Sequence, residues 1–162
     1  MFGLENALSL AETVKKDMVA SMKARDAERT STLRMVMTAL KNKEIEKRGE
    51  LSEAEELQTL TTMVKQRHES IEAFTRGDRP LLAEKEAAEI KVIEAYMPKV
   101  AGEEQIRENV AAVIAELTAS GSRPGPREMG SVMKAVQAKI QSTGLRADGR
   151  QVSEIVKAEL AK

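Results

Sequence analysis

The chain has no cysteine and no tryptophan, and only one tyrosine and two phenylalanines among its 162 residues. Without cysteine there is no disulfide, no thiolate nucleophile and no Cys-ligated metal, and a reducing compartment, by default the cytoplasm, is the expected setting. With so few aromatics the core must be built from Leu, Ile, Val, Met and Ala, which favour helix by propensity and packing. Net charge is missing too: 26 Lys and Arg face 26 Asp and Glu, so no whole-molecule field draws in nucleic acid or membrane. No apolar run approaches the roughly 18 residues of a spanning helix, and residues 1–11 lack a basic leader, so neither a membrane span nor an export signal is expected.

What is present is helical periodicity with readable ends. Ser9 and Glu12 form a capping-box pattern ahead of Leu10, Val14, Met18 and Met22 at four-residue spacing. Asp26 is placed to cap a second helix striped by Leu33, Val36, Met37 and Leu40, with Gly49 as its stop. Ser52 and Glu55 restart the chain into a long third helix carrying Leu57, Leu60, Val64, Ile71 and Phe74, closed by Gly77. Pro80 opens a fourth, marked by Leu82, Ile90, Ile93 and Met97, that stops before Pro98. Pro98-Lys99-Val100-Ala101-Gly102 reads as a linker. Beyond it, Ile106, Val110, Val113, Ile114 and Leu117 mark one helix, Met129, Val132, Met133, Val136 and Ile140 another, and Val152, Ile155, Val156 and Leu160 a third. The expectation is an all-α protein: an N-terminal bundle of about four helices over residues 1–97, then a small three-helix domain over residues 98–162.

Local charge breaks the global balance. Residues 1–97 carry 16 basic and 18 acidic side chains, residues 98–162 carry 10 and 8, and between positions 123 and 150 six Lys or Arg stand against two acids. That stretch is also punctuated by Gly125, Gly130, Gly144 and Gly149. It points to a phosphate-rich partner.

Several motifs in order carry a family resemblance: Leu33-Arg34 leading into Ala39-Leu40-Lys41-Asn42-Lys43-Glu44-Ile45-Glu46, then Lys65-Gln66-Arg67-His68-Glu69-Ser70, Glu86 with Glu89-Ile90, Tyr96-Met97-Pro98, Met129-Gly130-Ser131-Val132-Met133 and Ala147-Asp148-Gly149. Together they resemble the GatB/YqeY family from Leu10 nearly to Leu160. The family shares its C-terminal part with the tail of the B subunit of tRNA-dependent amidotransferases and with modules on some glutaminyl-tRNA synthetases. The resemblance therefore implies tRNA contact through the small helical domain, a synthetase or amidotransferase as a further partner, and the label of carbon-nitrogen ligase with glutamine as amido-N-donor. Pro124-Gly125-Pro126 and Leu145 depart from the family's loops.

Catalysis has no visible equipment. There is no Walker loop, no Gly-x-Ser-x-Gly elbow and no cysteine, Ser131 reads as a surface or packing serine on an amphipathic helix, and neither a metal nor a cofactor is expected. His68, the single histidine, lies one residue off the apolar stripe of the third helix and reads as a packing or surface residue. Arg67 falls where Leu is expected in the heptad, so it reads as a partly buried charge needing a carboxylate. Glu69 is its neighbour in the motif, and Glu44, Glu86 and Glu89 are the candidate partners on other helices. The expected role is a structural inter-helix ion pair.

Gly130 is assigned to helix packing, Asp148 to capping the last helix, and Gly149 to a turn conformation closed to other residues. The candidate RNA-contacting groups are Arg123, Arg127, Lys134, Lys139, Arg146, Arg150 and Lys157. Scarcity of aromatics argues against stacking on unpaired bases, so the expected mode is recognition of folded tRNA through phosphates and 2′-hydroxyls, with no role for DNA or membrane. Three readings stay open at this level: a tRNA-binding module or accessory factor, a carbon-nitrogen ligase or tRNA amidase, and a helical protein-binding adaptor built on Met-rich faces.

Overall fold

The computed structural model describes residues 8–162; Met1, Phe2 and the leader reading of residues 1–7 lie outside the described residues. The fold is all-α. Seven α-helices run in the order α1 (Leu10–Lys23), α2 (Ala27–Lys47), α3 (Glu53–Arg76), α4 (Pro80–Glu94), α5 (Glu103–Ser120), α6 (Met129–Ser142) and α7 (Gly149–Leu160). Two two-residue strands, β1 (Lys99–Val100) and β2 (Leu145–Arg146), and a 3-10 turn at Pro126–Glu128 complete the described elements. The chain divides into two compact units, Met1–Met97 and Pro98–Lys162.

In the first unit, caps define the helices as their sequences require. Ser9 accepts from the Glu12 N–H while Glu12 accepts from the Ser9 N–H at 2.9 Å, and Ser52 and Glu55 repeat the arrangement at the start of α3. Each box satisfies N–H groups that a helix start leaves without partners. Asp26 accepts from the Arg29 N–H at 3.0 Å and caps α2. The core gathers Val14, Leu33, Val36, Leu40, Leu60, Met63, Val64, Ile90, Ile93 and Met97. Met22 and Leu82, both on expected apolar stripes, are instead 49% and 40% exposed, each in a terminal turn of its helix.

Gly77 caps the end of α3 as expected, and Gly49 follows Arg48, the cap of α2. Among the described residues other than glycine, the left-handed ones are Arg25 (φ 58°), Arg48 (φ 60°) and Asp78 (φ 54°), all at helix ends. The chain still closes the standard terminal bonds there: the Gly49 N–H donates to the Glu44 carbonyl at 3.2 Å and the Arg79 N–H to the Phe74 carbonyl at 2.9 Å. Local hydrogen bonding thus outweighs the roughly 1–2 kcal/mol that a side chain adds to the left-handed conformation.

The second unit closes on Ala101, Ile106, Val110, Val113, Val132, Val136, Ile140, Val152, Ile155, Val156 and Leu160. Burial of each large aliphatic side chain here contributes on the order of 1.5–3 kcal/mol before chain entropy is subtracted. The segment expected to be a linker is part of this fold: Lys99 and Val100 pair in parallel with Leu145 and Arg146, and the Ala101 N–H donates to the Arg146 carbonyl at 2.7 Å. Two residues per strand are too few for a period-2 signal, so only the tertiary fold reveals them. Leu145 packs against the core from this strand, which accounts for an apolar residue in an otherwise polar turn.

Two glycine assignments also change. Gly130 is exposed on α6, and a Cβ there would meet nothing within 4 Å, so it mediates no close helix crossing. The turn conformation assigned to Gly149 belongs to Gly144, at φ 75°; Gly149 is simply the first residue of α7. Asp148 does cap that helix, its Oδ1 accepting from the Arg150 and Gln151 N–H groups at 2.9 and 3.0 Å.

Candidate nucleic-acid interface

The seven cations singled out in the second unit divide by what their side chains do. Arg146 is half-buried, and its Nε donates to the Pro98 carbonyl at 3.0 Å. With its backbone paired in β2, this residue ties the turn before α7 to the segment that enters α5, and that is a structural role. Arg123 sends Nη2 to the Glu159 carbonyl at 3.1 Å, in the last turn of α7, where a cation complements the negative helix end. Lys139 pairs with Glu116 across α6 and α5 at 2.5 Å. Arg150, with its side chain 90% exposed, lies 3.6 Å from Glu154 one turn along.

Arg127, Lys134 and Lys157 are exposed and outside every ion pair among the described residues. Lys134 sits two residues from both Val132 and Val136, which are fully buried, so helical periodicity turns it away from the core. Arg150 and Lys157 are seven apart, about two turns, and share the solvent face of α7. Glu154 occupies that same face between them, an acid that the charge count of residues 123–150 does not include.

The two acids inside residues 123–150 are engaged elsewhere. Glu128 accepts from the Gly125 N–H at 2.8 Å, and Asp148 caps α7. Helix α6 contains no Asp or Glu at all. The outer face of α6 therefore presents Lys134, the open side of Gly130 and the exposed Ser131 with no carboxylate of its own element, and the 3-10 turn before it carries Arg127 next to Glu128, whose carboxylate accepts from the Gly125 N–H. At the far end of α7, Lys162 beside Glu159 holds its carboxyl below the usual range, with Arg107 and Arg123 adding to the effect.

The motif in α3 resolves separately. Arg67 is buried and its Nε donates to Glu89 Oε2 at 2.9 Å, with Nη1 donating to the Met63 carbonyl at 3.1 Å and Nη2 meeting Met35 Sδ at 3.5 Å. Of the three candidate partners, Glu89 is the one that pairs; Glu44 pairs with Lys41 instead, and Glu69 is exposed and takes no part. His68 is exposed as well. No group of three His, Cys, Asp or Glu placed to hold a metal ion occurs among the described residues. One polar contact escaped the sequence reading: Tyr96 donates its hydroxyl to Asp17 Oδ2 at 2.5 Å, across 79 positions. Partial burial, then Asp17, push the Tyr96 hydroxyl up to about 12.

Among the described residues no helix is long and apolar enough to cross a membrane. A family model described as "Yqey-like protein" matches residues 11–160. The chain is similar to proteins named "Altered inheritance of mitochondria protein 41, mitochondrial": 34% identical over 119 residues to that of Lachancea thermotolerans, covering 72% of this chain and 64% of the relative. The protein of the same name from Eremothecium gossypii is 32% identical over 123 residues, covering 74% and 67%, and that of Clavispora lusitaniae 30% over 130 residues, covering 79% and 74%. The chain thus spans less than two thirds of the length of the Lachancea relative. With the ordered motifs, the all-α fold and a family model that matches almost from end to end, this chain belongs to the YqeY-like family.

Proposed function

We propose that the C-terminal unit is an RNA-docking module for folded tRNA, acting as an accessory to tRNA aminoacylation or amidation. The observation that carries this reading is the acid-free α6 beside Arg127: Arg127 and Lys134 are exposed and outside every ion pair among the described residues, while the Glu128 and Asp148 carboxylates accept from the N–H groups of Gly125, Arg150 and Gln151. Such a surface gives backbone attraction without base reading, which suits the outside of a folded RNA. Arg150 and Lys157 extend the cationic surface along α7, moderated by Glu154. The carbon-nitrogen ligase reading rests on family association alone. The compartment belongs to the same proposal: a cysteine-free chain fits a reducing interior, and the relatives are named as mitochondrial proteins.

The test is retention of total tRNA on the full chain as salt is varied. Arg127→Glu with Lys134→Glu is expected to weaken binding at least tenfold at low salt and to flatten the log-log salt dependence by about 2, as loss of two phosphate contacts requires. Glu154→Gln is expected to tighten binding. Lys41→Glu with Lys43→Glu, in the first unit, serves as the charge-matched control. Unchanged binding by a well-folded Arg127/Lys134 variant sinks the assignment.

A further inference from the structure

The first unit contains a cleft between the start of α2 and α4, with a volume of about 480 Å³, within the ~300–1,000 Å³ typical of small-molecule sites. Its charged walls are Glu89 and Lys85 on α4 and Asp26, Glu28 and Arg29 at the start of α2, with Ala88 and Val92 as its apolar part. Glu89 is unusual among them. Its side chain is only 13% exposed, and Arg67 takes just one of its oxygens, Oε2. Oε1 receives no hydrogen bond among the described residues, yet no buried side-chain oxygen is left without a partner. Oε1 is therefore open to solvent, in a residue that lines the cleft.

Lys85 stands one turn before Glu89 on α4, at the spacing where a Lys and a Glu ordinarily pair. Among the described residues they form no ion pair, and the Glu89 carboxylate pairs with Arg67 instead. The result is a carboxylate held by Arg67 and, among the described residues, a Lys85 ammonium in no ion pair on one wall of the same cleft, with Arg29, which also acts on the Tyr96 hydroxyl, beside Asp26 and Glu28 on the other, and Ala88 and Val92 on α4. A ligand that satisfies both charges needs a donor-rich cation beside an anion. We propose that this cleft binds a free α-amino acid, its ammonium on Glu89 Oε1, its carboxylate toward Lys85 and Arg29, and its side chain against Ala88 and Val92. Arg67 then acts as a positioning residue that holds the acceptor in place, and the site is independent of the RNA surface of the second unit.

The experiment is an NMR titration of the 15N-labelled full chain with each standard amino acid in turn, up to about 10 mM, where millimolar binding is visible. At least one amino acid is expected to shift the Arg67 Nε–H resonance and the α2 and α4 amides saturably. Glu89→Gln and Lys85→Met are each expected to weaken that binding about tenfold, the loss of one charge-assisted hydrogen bond. Lys85 is exposed, so its variant keeps the test informative even where Glu89→Gln perturbs folding. No saturable shift with any amino acid, or equally tight binding by methylammonium or acetate alone, overturns the proposal.

Discussion

Arg67 on α3 donates its Nε–H to Glu89 on α4 at 2.9 Å, with side chains only 10% and 13% exposed. The pair stands at a position where the heptad calls for an aliphatic residue, so it exchanges packing area for a specific link between two helices. Removing one partner of such a pair leaves the other charge buried, which costs far more than the pair contributes. Arg67→Met is expected to lower the unfolding free energy by about 3 kcal/mol, and Arg67→Met with Glu89→Leu to recover most of it. Urea unfolding of the two single variants and the double variant measures the cycle; full additivity would show that the two side chains do not interact.

Tyr96 is the only tyrosine, and there is no tryptophan, so phenolate absorbance reports this one hydroxyl. Its folded value is raised to about 12, first by burial and then by the hydrogen bond and charge of Asp17. A raised value means the folded state holds its proton more tightly. The associated stability is fully present below pH ~10, the ordinary tyrosine value, and is lost as pH rises towards 12. Spectrophotometric titration should place the phenolate transition near 12 in the native protein, and Asp17→Asn should move it down. A transition at the ordinary value in folded wild-type protein would contradict the contact.

Three backbone positions make opposite demands. Gly144, at φ 75°, is expected to lose about 1 kcal/mol of stability on substitution by alanine, even though a Cβ there meets nothing within 4 Å. Gly130, in ordinary helical conformation with open space beside it, is expected to gain up to about 1 kcal/mol on the same change. Arg48→Gly relieves the left-handed arginine at φ 60° and should add about 0.5–1 kcal/mol, net of the extra freedom glycine gives the unfolded chain. Thermal unfolding of the three variants checks the signs; a destabilising Gly130→Ala would restore a packing role for that glycine.

Which of the candidate cations are exposed was only partly legible in the sequence. The candidate list holds Arg127, Lys134 and Lys157, which are exposed and in no ion pair among the described residues, and also Arg146 and Lys139, whose side chains are engaged at Pro98 and Glu116. Nothing along the chain separates the two kinds, because the partners of Lys139 and Arg146 lie 23 and 48 positions away. Glu154 escaped because only cations were followed past position 150; on α7 it stands between Arg150 and Lys157.

By itself the sequence determined the helices and their starts. Ser9, Asp26, Ser52 and Asp148 each satisfy backbone groups within three residues of themselves, and the apolar spacing sets the face that must leave water; both are local properties. Only the tertiary structure decided that Glu89, and not Glu44 or Glu86, answers Arg67, that Tyr96 meets Asp17, and that Lys99-Val100 pairs with Leu145-Arg146. Those contacts join segments distant in the chain, and their formation depends on how whole helices pack, which no short stretch of residues encodes.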